Sequence, residues 1–144
     1  MPQSFDLRPA TKADFEFCWP IYHDAVRPLM EPPTDWHEPD HRRIVERALA
    51  DTGSSILRSQ ETDAGWLYVT ENSQVINVKQ LLVVPYLRNR GIGTGFLEWM
   101  KGRADRKHKD LTVELMATSA ASRLLERLGF RIVPGTGRIL VMRY

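Results

Sequence analysis

Long apolar runs, paired cysteines and internal repeats are all missing from this 144-residue sequence. No apolar run approaches the ~20 residues of a membrane span, and residues 1–15 lack the apolar core of a secretory signal. The single cysteine, Cys18, excludes an intrachain disulfide and is typical of a reducing compartment. We therefore expect a cytoplasmic protein without a membrane partner.

An excess of either charge is also missing. Twenty Lys and Arg residues stand against 18 Asp and Glu residues, which leaves a net charge of +2. Proteins that bind nucleic acid through their whole surface carry a larger basic excess, so we expect no nucleic-acid partner. The length and the hydrophobic content of 42% suit one core, which predicts a single domain over residues 1–144.

The most informative stretch runs from Gln80 to Met100. An apolar strand, 81–84, is stopped by Pro85 and followed by a basic turn and three alternating glycines that open a helix. The N–H groups at a helix start have no intrahelical partners and lie at the positive end of the helix dipole. Glycines let an anion approach the backbone. The stretch predicts an anion site, although its spacing fits neither the dinucleotide pattern GxGxxG nor a P-loop.

Three motifs in the same order resemble those of the GNAT N-acetyltransferases. Arg88-x-x-Gly91-x-Gly93 resembles the acetyl-CoA pyrophosphate loop of that family, Gln/Arg-x-x-Gly-x-Gly/Ala. Residues 7–14 resemble its first strand and helix start, and LLERLGF at 124–130 resembles its "LYEKLGF" junction. The similarity is strongest over residues 81–133. An unrelated α/β domain, in which the glycine turn only starts a helix, is the remaining structural alternative.

Apolar periodicity and turn signals predict the element order β-α-α-β-β-β-α-β-α-β-β. This order gives an α/β (α+β) fold with a mixed, mostly antiparallel sheet and helices on both faces. The resemblance implies that the strands ending at Val84 and beginning at Leu111 are parallel and splay apart, with the pantetheine arm of CoA between them.

Several helix ends are predicted from capping and breaking residues. Thr11 and Asp14 form a capping-box pattern, and Pro20 is expected to kink or divide the helix that follows. Asp40 is expected to cap the second helix and Gly53 to end it. Thr118 or Ser119 is expected to cap the last helix, which Gly129 ends. Residues 28–39, with four prolines, are predicted to be a loop.

The resemblance implies transfer of the acetyl group of acetyl-CoA to a primary amine of a small molecule or an exposed protein amine. The amine would attack directly through a tetrahedral intermediate, without a metal. A backbone N–H near Val84 would stabilise the oxyanion. The strand backbone would pair with pantetheine and the loop amides would bind the pyrophosphate, which gives as cofactor-binding residues Leu82, Val83, Val84, Arg88, Asn89, Arg90, Gly91, Ile92, Gly93, Thr94 and Gly95.

The sequence departs from the family at its usual catalytic positions. Leu125 stands where the family has the tyrosine that acts as general acid, and Thr118 stands where it has an asparagine. The strand 75–84 carries no acidic residue. Ser122, one turn before Leu125, is our candidate donor to the thiol sulfur, with Ser119 as a second possibility. These departures keep open a non-catalytic acyl-CoA-binding regulatory module as the alternative function.

The acceptor amine and the general base are not specified by a motif. An acceptor pocket is expected between the first helices and the terminal strands, and candidate bases or amine-binding groups are His23, Trp36, His37, Glu38 and Glu71. Packing is the favoured role for the aromatic residues of the first helices, and dipole compensation for the basic residues at 101–109. Glu114 faces the side of its strand opposite to Val113 and has no assigned role. An exposed last strand would allow a homodimer.

Overall fold

A computed structural model of the chain describes residues 5–30, 33–134 and 137–144. The described residues form one seven-stranded sheet with the strand order β1-β2-β3-β4-β5-β7-β6 and four α-helices. Their bounds are β1 Asp6–Pro9, α1 Phe15–Val26, α2 Glu38–Leu49, β2 Ser54–Ser59, β3 Thr62–Glu71, β4 Val75–Val83, α3 Ile92–Lys107, β5 Asp110–Met116, α4 Ala121–Arg127, β6 Arg131–Ile132 and β7 Ile139–Arg143.

The sheet confirms the predicted order and architecture. Its strand pairs are antiparallel except for β4 and β5, which are parallel and joined by the crossover helix α3. None of the helices in the described ranges is both long and apolar enough to cross a membrane.

Two hydrophobic clusters cover the two faces of the sheet. Neighbouring residues of β2 and β3 divide between them, since Leu57 and Leu67 pack under α3 and α4 whereas Ile56 and Trp66 pack under α1 and α2. This division follows from the alternation of side chains along a strand. Burial of each large apolar side chain stabilises the fold by roughly 1.5–3 kcal/mol.

The first helix starts as predicted but is not divided. Thr11 Oγ1 accepts from the Ala13 N–H at 3.2 Å, and Asp14 Oδ2 accepts from the Thr11 N–H at 2.9 Å, which completes the capping box. A short 3₁₀ turn, Lys12–Asp14, leads into α1, which continues through Pro20 to Val26. The expectation of a division at Pro20 is wrong, because buried residues on both sides of the proline hold the helix against the sheet.

The second helix begins and ends earlier than predicted. His37 is its N-cap and Pro39 lies in its first turn, where the missing N–H of proline costs no hydrogen bond. Asp40 is inside the helix and pairs with Arg43 at 2.9 Å, so it is not the cap. The helix ends at Leu49, not at Gly53, whose Cα packs so close to β3 that a Cβ would lie 2.1 Å from the Val69 carbonyl oxygen.

The last helix ends in the predicted glycine. Gly129 has φ +98°, its N–H donates to the Glu126 oxygen at 3.0 Å, and the Phe130 N–H donates to the Leu125 oxygen at 2.9 Å. These two bonds form a Schellman motif. Neither predicted residue is the N-cap of α4, which is Ala120, because the helix starts one residue later than expected. Ser119 lies just before that cap, and its Oγ accepts from the Ala121 N–H at 3.1 Å. Thr118 instead donates to the Leu29 oxygen at 2.7 Å.

A β-bulge in β4 marks the point at which β4 and β5 separate. Tyr68 of β3 lies opposite Gln80, but Val69 lies opposite Val78, so Lys79 is an extra residue in β4. The parallel pairing of β4 with β5 runs from Val75 to Val78 and then stops. Because a bulge bends its strand and increases the local twist, it accounts for the divergence of β4 from β5. The two strands therefore splay as expected and leave an open wedge in the sheet.

Candidate functional site

The glycine-rich loop connects the end of β4 to the start of α3. Two residues of the loop adopt positive φ angles, Asn89 at 61° and Gly91 at 82°, and Gly91 is the N-cap of the helix. The Gly95 N–H donates to the Gly91 oxygen at 2.8 Å and closes the first helical turn. The amides of residues 92–94 precede that bond and have no acceptor within the helix, which is the arrangement that favours an anion at a helix N-terminus.

Open space lies in front of this helix end. A Cβ built on Gly93 would have no heavy atom within 4 Å, and Gly93 also lines a cavity in the wedge. The glycine is therefore not required by packing against the rest of the chain. A ligand that approaches the backbone would occupy the same space.

Arg88 joins the loop to β4. Its Nε donates to the Val83 oxygen at 2.9 Å, which orders the chain between the strand and the helix. Its Nη2 is buried and has no hydrogen-bond partner among the described residues. A buried guanidinium N–H without an acceptor is costly. A diphosphate on the loop is a chemically suitable acceptor, so these residues fit the CoA group that the sequence implies.

A cavity of about 310 Å³, the inner cavity, fills the wedge between β4 and β5. This volume lies within the range of small-ligand pockets. Its walls are apolar and come from both splayed strands, from α3 and α4, and from the end of α1. Residues that matter for the argument below are Leu81, Val83, Glu114, Ser119, Leu124 and Leu125.

The backbone of β4 alternates between the two sides of the strand. The Val84 N–H donates to the Ala64 oxygen at 2.8 Å, so Val84 faces β3. By the alternation of an antiparallel ladder, Leu82 also faces β3, whereas Leu81 and Val83 direct their N–H groups toward the wedge. Val84 is therefore not available as the expected oxyanion donor, and the backbone polar groups of Leu82 also point away from the wedge.

The predicted sulfur donor, Ser122, does not line the inner cavity, whereas Ser119 does. The Ser122 hydroxyl lies 3.5 Å from the Ser119 oxygen. Leu125, at the position of the family tyrosine, is 3% exposed, packs in the core and contributes apolar surface to the cavity. Of the two serines that the sequence offered, the geometry favours Ser119.

A second cavity of about 710 Å³, the outer cavity, lies between α1, α2 and the terminal strands, where an acceptor pocket was expected. Tyr22 and His41 line it together, with 2.8 Å between the Tyr22 hydroxyl and His41 Nδ1. Burial raises the pKa of Tyr22 to about 12 and lowers the pKa of His41, so both side chains are neutral at pH 7. The outer and inner cavities share lining residues at the wedge, namely Val26, Lys79, Gln80, Glu114, Leu115 and Met116.

Glu114 is the only acidic residue among the described residues that lines both cavities. Its Oε2 accepts from Asn77 Nδ2 at 2.6 Å, and Asn77 Oδ1 accepts from the Thr112 hydroxyl at 2.7 Å. The sequence placed Glu114 on the opposite side of its strand from Val113 but gave it no role. The missing signal was the bulge at Lys79, because it opens the sheet directly beside Glu114.

The other predicted bases lie away from the wedge. Glu71 is held by Lys107 at 2.9 Å and Lys109 at 2.5 Å, and these bonds lower its pKa to about 2. Its carboxylate is therefore engaged at the far end of β3. His23 lies 3.9 Å from Glu38 on the surface, and His37 caps α2. None of these four residues lines either cavity.

The aromatic and basic groups predicted to be structural have structural contacts. Trp36 stacks on His41 with ring centroids 3.9 Å apart and, like Trp19, packs against the α1–α2 cluster. Lys101 donates to the Leu128 oxygen at 2.8 Å, and Arg103 lies 3.7 Å from Glu71. The basic end of α3 is thus tied to the protein itself.

Comparisons with known proteins give the fold a family name. No protein-family model matches the sequence, and no curated protein matches it. Three solved structures illustrate the structural similarity. PaiA N-acetyltransferase from Thermoplasma acidophilum, in complex with coenzyme A, matches with a TM-score of 0.71 and 12% identity over 97% of this chain and 98% of that chain.

The apo form of YjaB from Escherichia coli matches with a TM-score of 0.73 and 15% identity over 98% of this chain and 97% of that one. A GNAT-family acetyltransferase from Bacillus anthracis matches with a TM-score of 0.67 and 13% identity over 100% and 95% of the two chains. The chain therefore has the fold of the GNAT N-acetyltransferases, as its three sequence motifs predicted.

Proposed function

We propose that this protein is an acetyl-CoA-dependent N-acetyltransferase, with the cofactor in the inner cavity and an amine acceptor in the outer cavity. The observation that carries the proposal is that the two cavities share wall residues at the wedge, beside a helix N-terminus with free N–H groups. A thioester that enters from the loop and an amine that enters from the opposite side would meet there.

The cofactor would lie along β4 in an order set by the strand. The amides of residues 92–94 and the Arg88 guanidinium would bind the diphosphate. Val83, the wedge-facing residue nearer to the loop, would pair with a pantetheine amide as a neighbouring strand does. Leu81 lies nearer to the outer cavity, so we assign its N–H to the oxyanion in place of Val84. Loss of one such donor typically lowers the rate ~10²–10³-fold.

Glu114 is the group that we assign to the amine. A typical alkyl ammonium has a pKa of about 10.4, so the acceptor arrives mostly protonated at pH 7. The Glu114 carboxylate would bind the ammonium and take up its proton, directly or through water. The amine nitrogen then forms a bond to the acetyl carbon, and the carbon–sulfur bond breaks. Asn77 would act as a positioning residue, because it holds one carboxylate oxygen and leaves the other toward the cavities.

Departure of the thiolate needs little assistance in this arrangement. A thiol has a pKa near 8.5, so its anion is a tolerable leaving group close to neutral pH. The Ser119 hydroxyl accepts a bond from the Ala121 N–H and retains its own proton to donate. This proton is available to the sulfur in the inner cavity. The substitution of leucine for tyrosine at position 125 is therefore compatible with acetyl transfer.

The test combines binding with turnover. We expect the wild-type protein to bind acetyl-CoA in calorimetry and to release CoA thiol when a reactive amine is added. Gly93→Asp should abolish binding, because it places a carboxylate where the diphosphate would lie while meeting no atom of the protein. Gly102→Asp is the matched control on the same helix, where the added Cβ approaches only the flexible Arg106 side chain.

Two results would change the assignment. Binding without thiol release over a broad amine panel would support the alternative, a non-catalytic acyl-CoA-binding module, for which the apolar Leu125 is the motivating feature. No binding at millimolar acetyl-CoA would reject both functions.

A further inference from the structure

Two opposite charges stand at the point where the sheet opens. Lys79 and Glu114 are the first residues beyond the last β4–β5 pair, Val78 with Val113. Val113 points into the core under α3, so Glu114, the next residue of the same regular strand, points to the other face of the sheet. Lys79 lies in the bulge and points to that same face, because its ammonium lies over the ring of Tyr68, which packs against the α1–α2 cluster. Both Lys79 and Glu114 line the outer cavity as well as the inner one.

These two charges do not neutralise each other. The Glu114 carboxylate is held by the neutral amide of Asn77 at 2.6 Å. The Lys79 ammonium lies 5.8 Å from the centroid of the Tyr68 ring, and no carboxylate within the described ranges lies within 4.0 Å of it. Two further cations, Arg47 and Arg138, line the outer cavity but not the wedge, and Arg138 is already paired with Asp35. The wedge therefore presents one carboxylate and one ammonium, each with only a neutral partner.

Such a pair is complementary to a ligand that carries both charges. An acceptor ammonium satisfies Glu114, and an anionic group on the same molecule satisfies Lys79 through a charge-assisted hydrogen bond. A simple alkylamine would pair only with Glu114, and its alkyl chain would lie against the Lys79 ammonium without neutralising it. Backbones of neighbouring strands lie about 4.8 Å apart, so the two ligand charges need a separation of only a few bonds.

We propose that the acceptor is a small zwitterion, a primary amine with a carboxylate or phosphate a few bonds away, and that Lys79 recognises the anionic group. The inference rests on the proposed N-acetyltransferase function and adds its substrate class. Lys79 is then a specificity-determining residue, with no part in binding CoA. Lys79 is itself the extra residue of the β4 bulge. The bulge therefore both opens the sheet and places a cation beside the opening.

The experiment compares acceptors that differ in the anionic group. Glycine, β-alanine and 2-aminoethyl phosphate would be assayed against propylamine with saturating acetyl-CoA, so that the carboxylate and phosphate forms are distinguished. We expect kcat/KM to be about tenfold higher for at least one zwitterion than for propylamine. In Lys79→Met this preference should fall to within about twofold, mainly through KM, and Lys79→Arg should restore it. Lys12→Met is the control at an exposed lysine outside both cavities.

Each outcome bears on the inference. Equal kcat/KM for propylamine and the zwitterions, or an equal loss for all acceptors in Lys79→Met, would overturn it while acetyl transfer itself stood. Acetyl-CoA binding without transfer to any acceptor would also overturn it. Loss of acetyl-CoA binding in the wild-type protein is a separate failure, because it removes the proposed function first.

Discussion

At the scale of the residue, the proposed role of Glu114 depends on a hydrogen bond from Asn77 and on the end of the β4–β5 pairing beside it. Asn77 fixes its Oε2, and the separation of β4 from β5 leaves the side chain between two cavities. In a continuous sheet the same carboxylate would lie on one face, beside the side chains of the paired strands, and would not reach a cavity on the other face. The role that we propose for Glu114 therefore depends on its position next to the bulge as well as on its carboxylate.

Glu114→Gln keeps the shape of the side chain but removes the charge and the basic oxygen. We expect kcat with a saturating amine to fall about 100-fold, the lower end of typical general-base effects, while the Kd for acetyl-CoA stays unchanged. Steady-state kinetics and calorimetry measure the two quantities. Glu46→Gln, on the exposed side of α2, is the matched control. A Glu114→Gln variant with wild-type kcat would show that the amine loses its proton elsewhere.

Among the elements, β3, α3 and the start of β5 are joined by ion pairs around Glu71. Lys107, Lys109 and Arg103 surround its carboxylate, at the end of the sheet opposite the wedge. Helix α3, whose start is the proposed anion site, is thus held at its C-terminal end by ion pairs and in its N-terminal half by the buried Ile92, Phe96 and Leu97. The cluster stabilises the scaffold and leaves the loop end of the helix open to a ligand.

The Glu71 cluster predicts a pH-dependent contribution to stability. The folded-state pKa of Glu71, about 2, is below its ordinary value of 4.5, so the contribution is present above pH 4.5 and is lost as the pH falls toward 2. Because the group is near solvent, we expect Glu71→Gln to lower the free energy of unfolding by only about 1 kcal/mol at pH 7. Urea unfolding should show this difference at pH 7 and none near pH 2. A constant difference across this range would contradict the ion-pair account.

At the scale of the whole molecule, the sheet is divided into a paired half and a splayed half. From Val75 to Val78 the two central strands are bonded to each other, and beyond Val78 they form the walls of the inner cavity. Helices α1 and α2 cover one face and line the outer cavity, whereas α3 and α4 cover the other and line the inner one, to which the end of α1 also contributes. The two substrates would therefore approach the wedge from opposite faces of the sheet.

Local sequence signals predicted most of this arrangement. Apolar periodicity located the strands and helices in their observed order, and the glycine spacing located the start of α3 to within one residue. The bulge at Lys79 was not predictable, because the extra residue depends on the register between β3 and β4 and not on a local turn signal. For this reason the sequence predicted neither that the Val84 N–H bonds to β3 nor that Glu114 lies between the two cavities.

Contacts distant in the sequence also explain some of the errors at the helix ends. Aspartate is a more common N-cap than histidine, but α2 starts at Glu38 with Pro39 in its first turn, so that Asp40 lies inside the helix. Gly53 looked like a helix stop, but it is a glycine because β3 passes too close for a side chain. Ser119 and Ser122 are about one helical turn apart in the sequence, but only Ser119 lines the inner cavity. The errors at Gly53 and Ser122 concern residues whose roles are decided by contacts distant in the sequence, whereas the start of α2 is set locally by Pro39.

The most direct test of the account is a ¹H–¹⁵N spectrum of the protein titrated with acetyl-CoA. We expect the largest shift changes at the amides of residues 92–94 and at those of Leu81 and Val83, with little change at Leu82 and Val84, which face β3. Gly93→Asp should remove the changes, and Gly102→Asp should keep them. A spectrum that stays unchanged at millimolar acetyl-CoA, or that changes only outside the loop and the wedge, would contradict the proposed site.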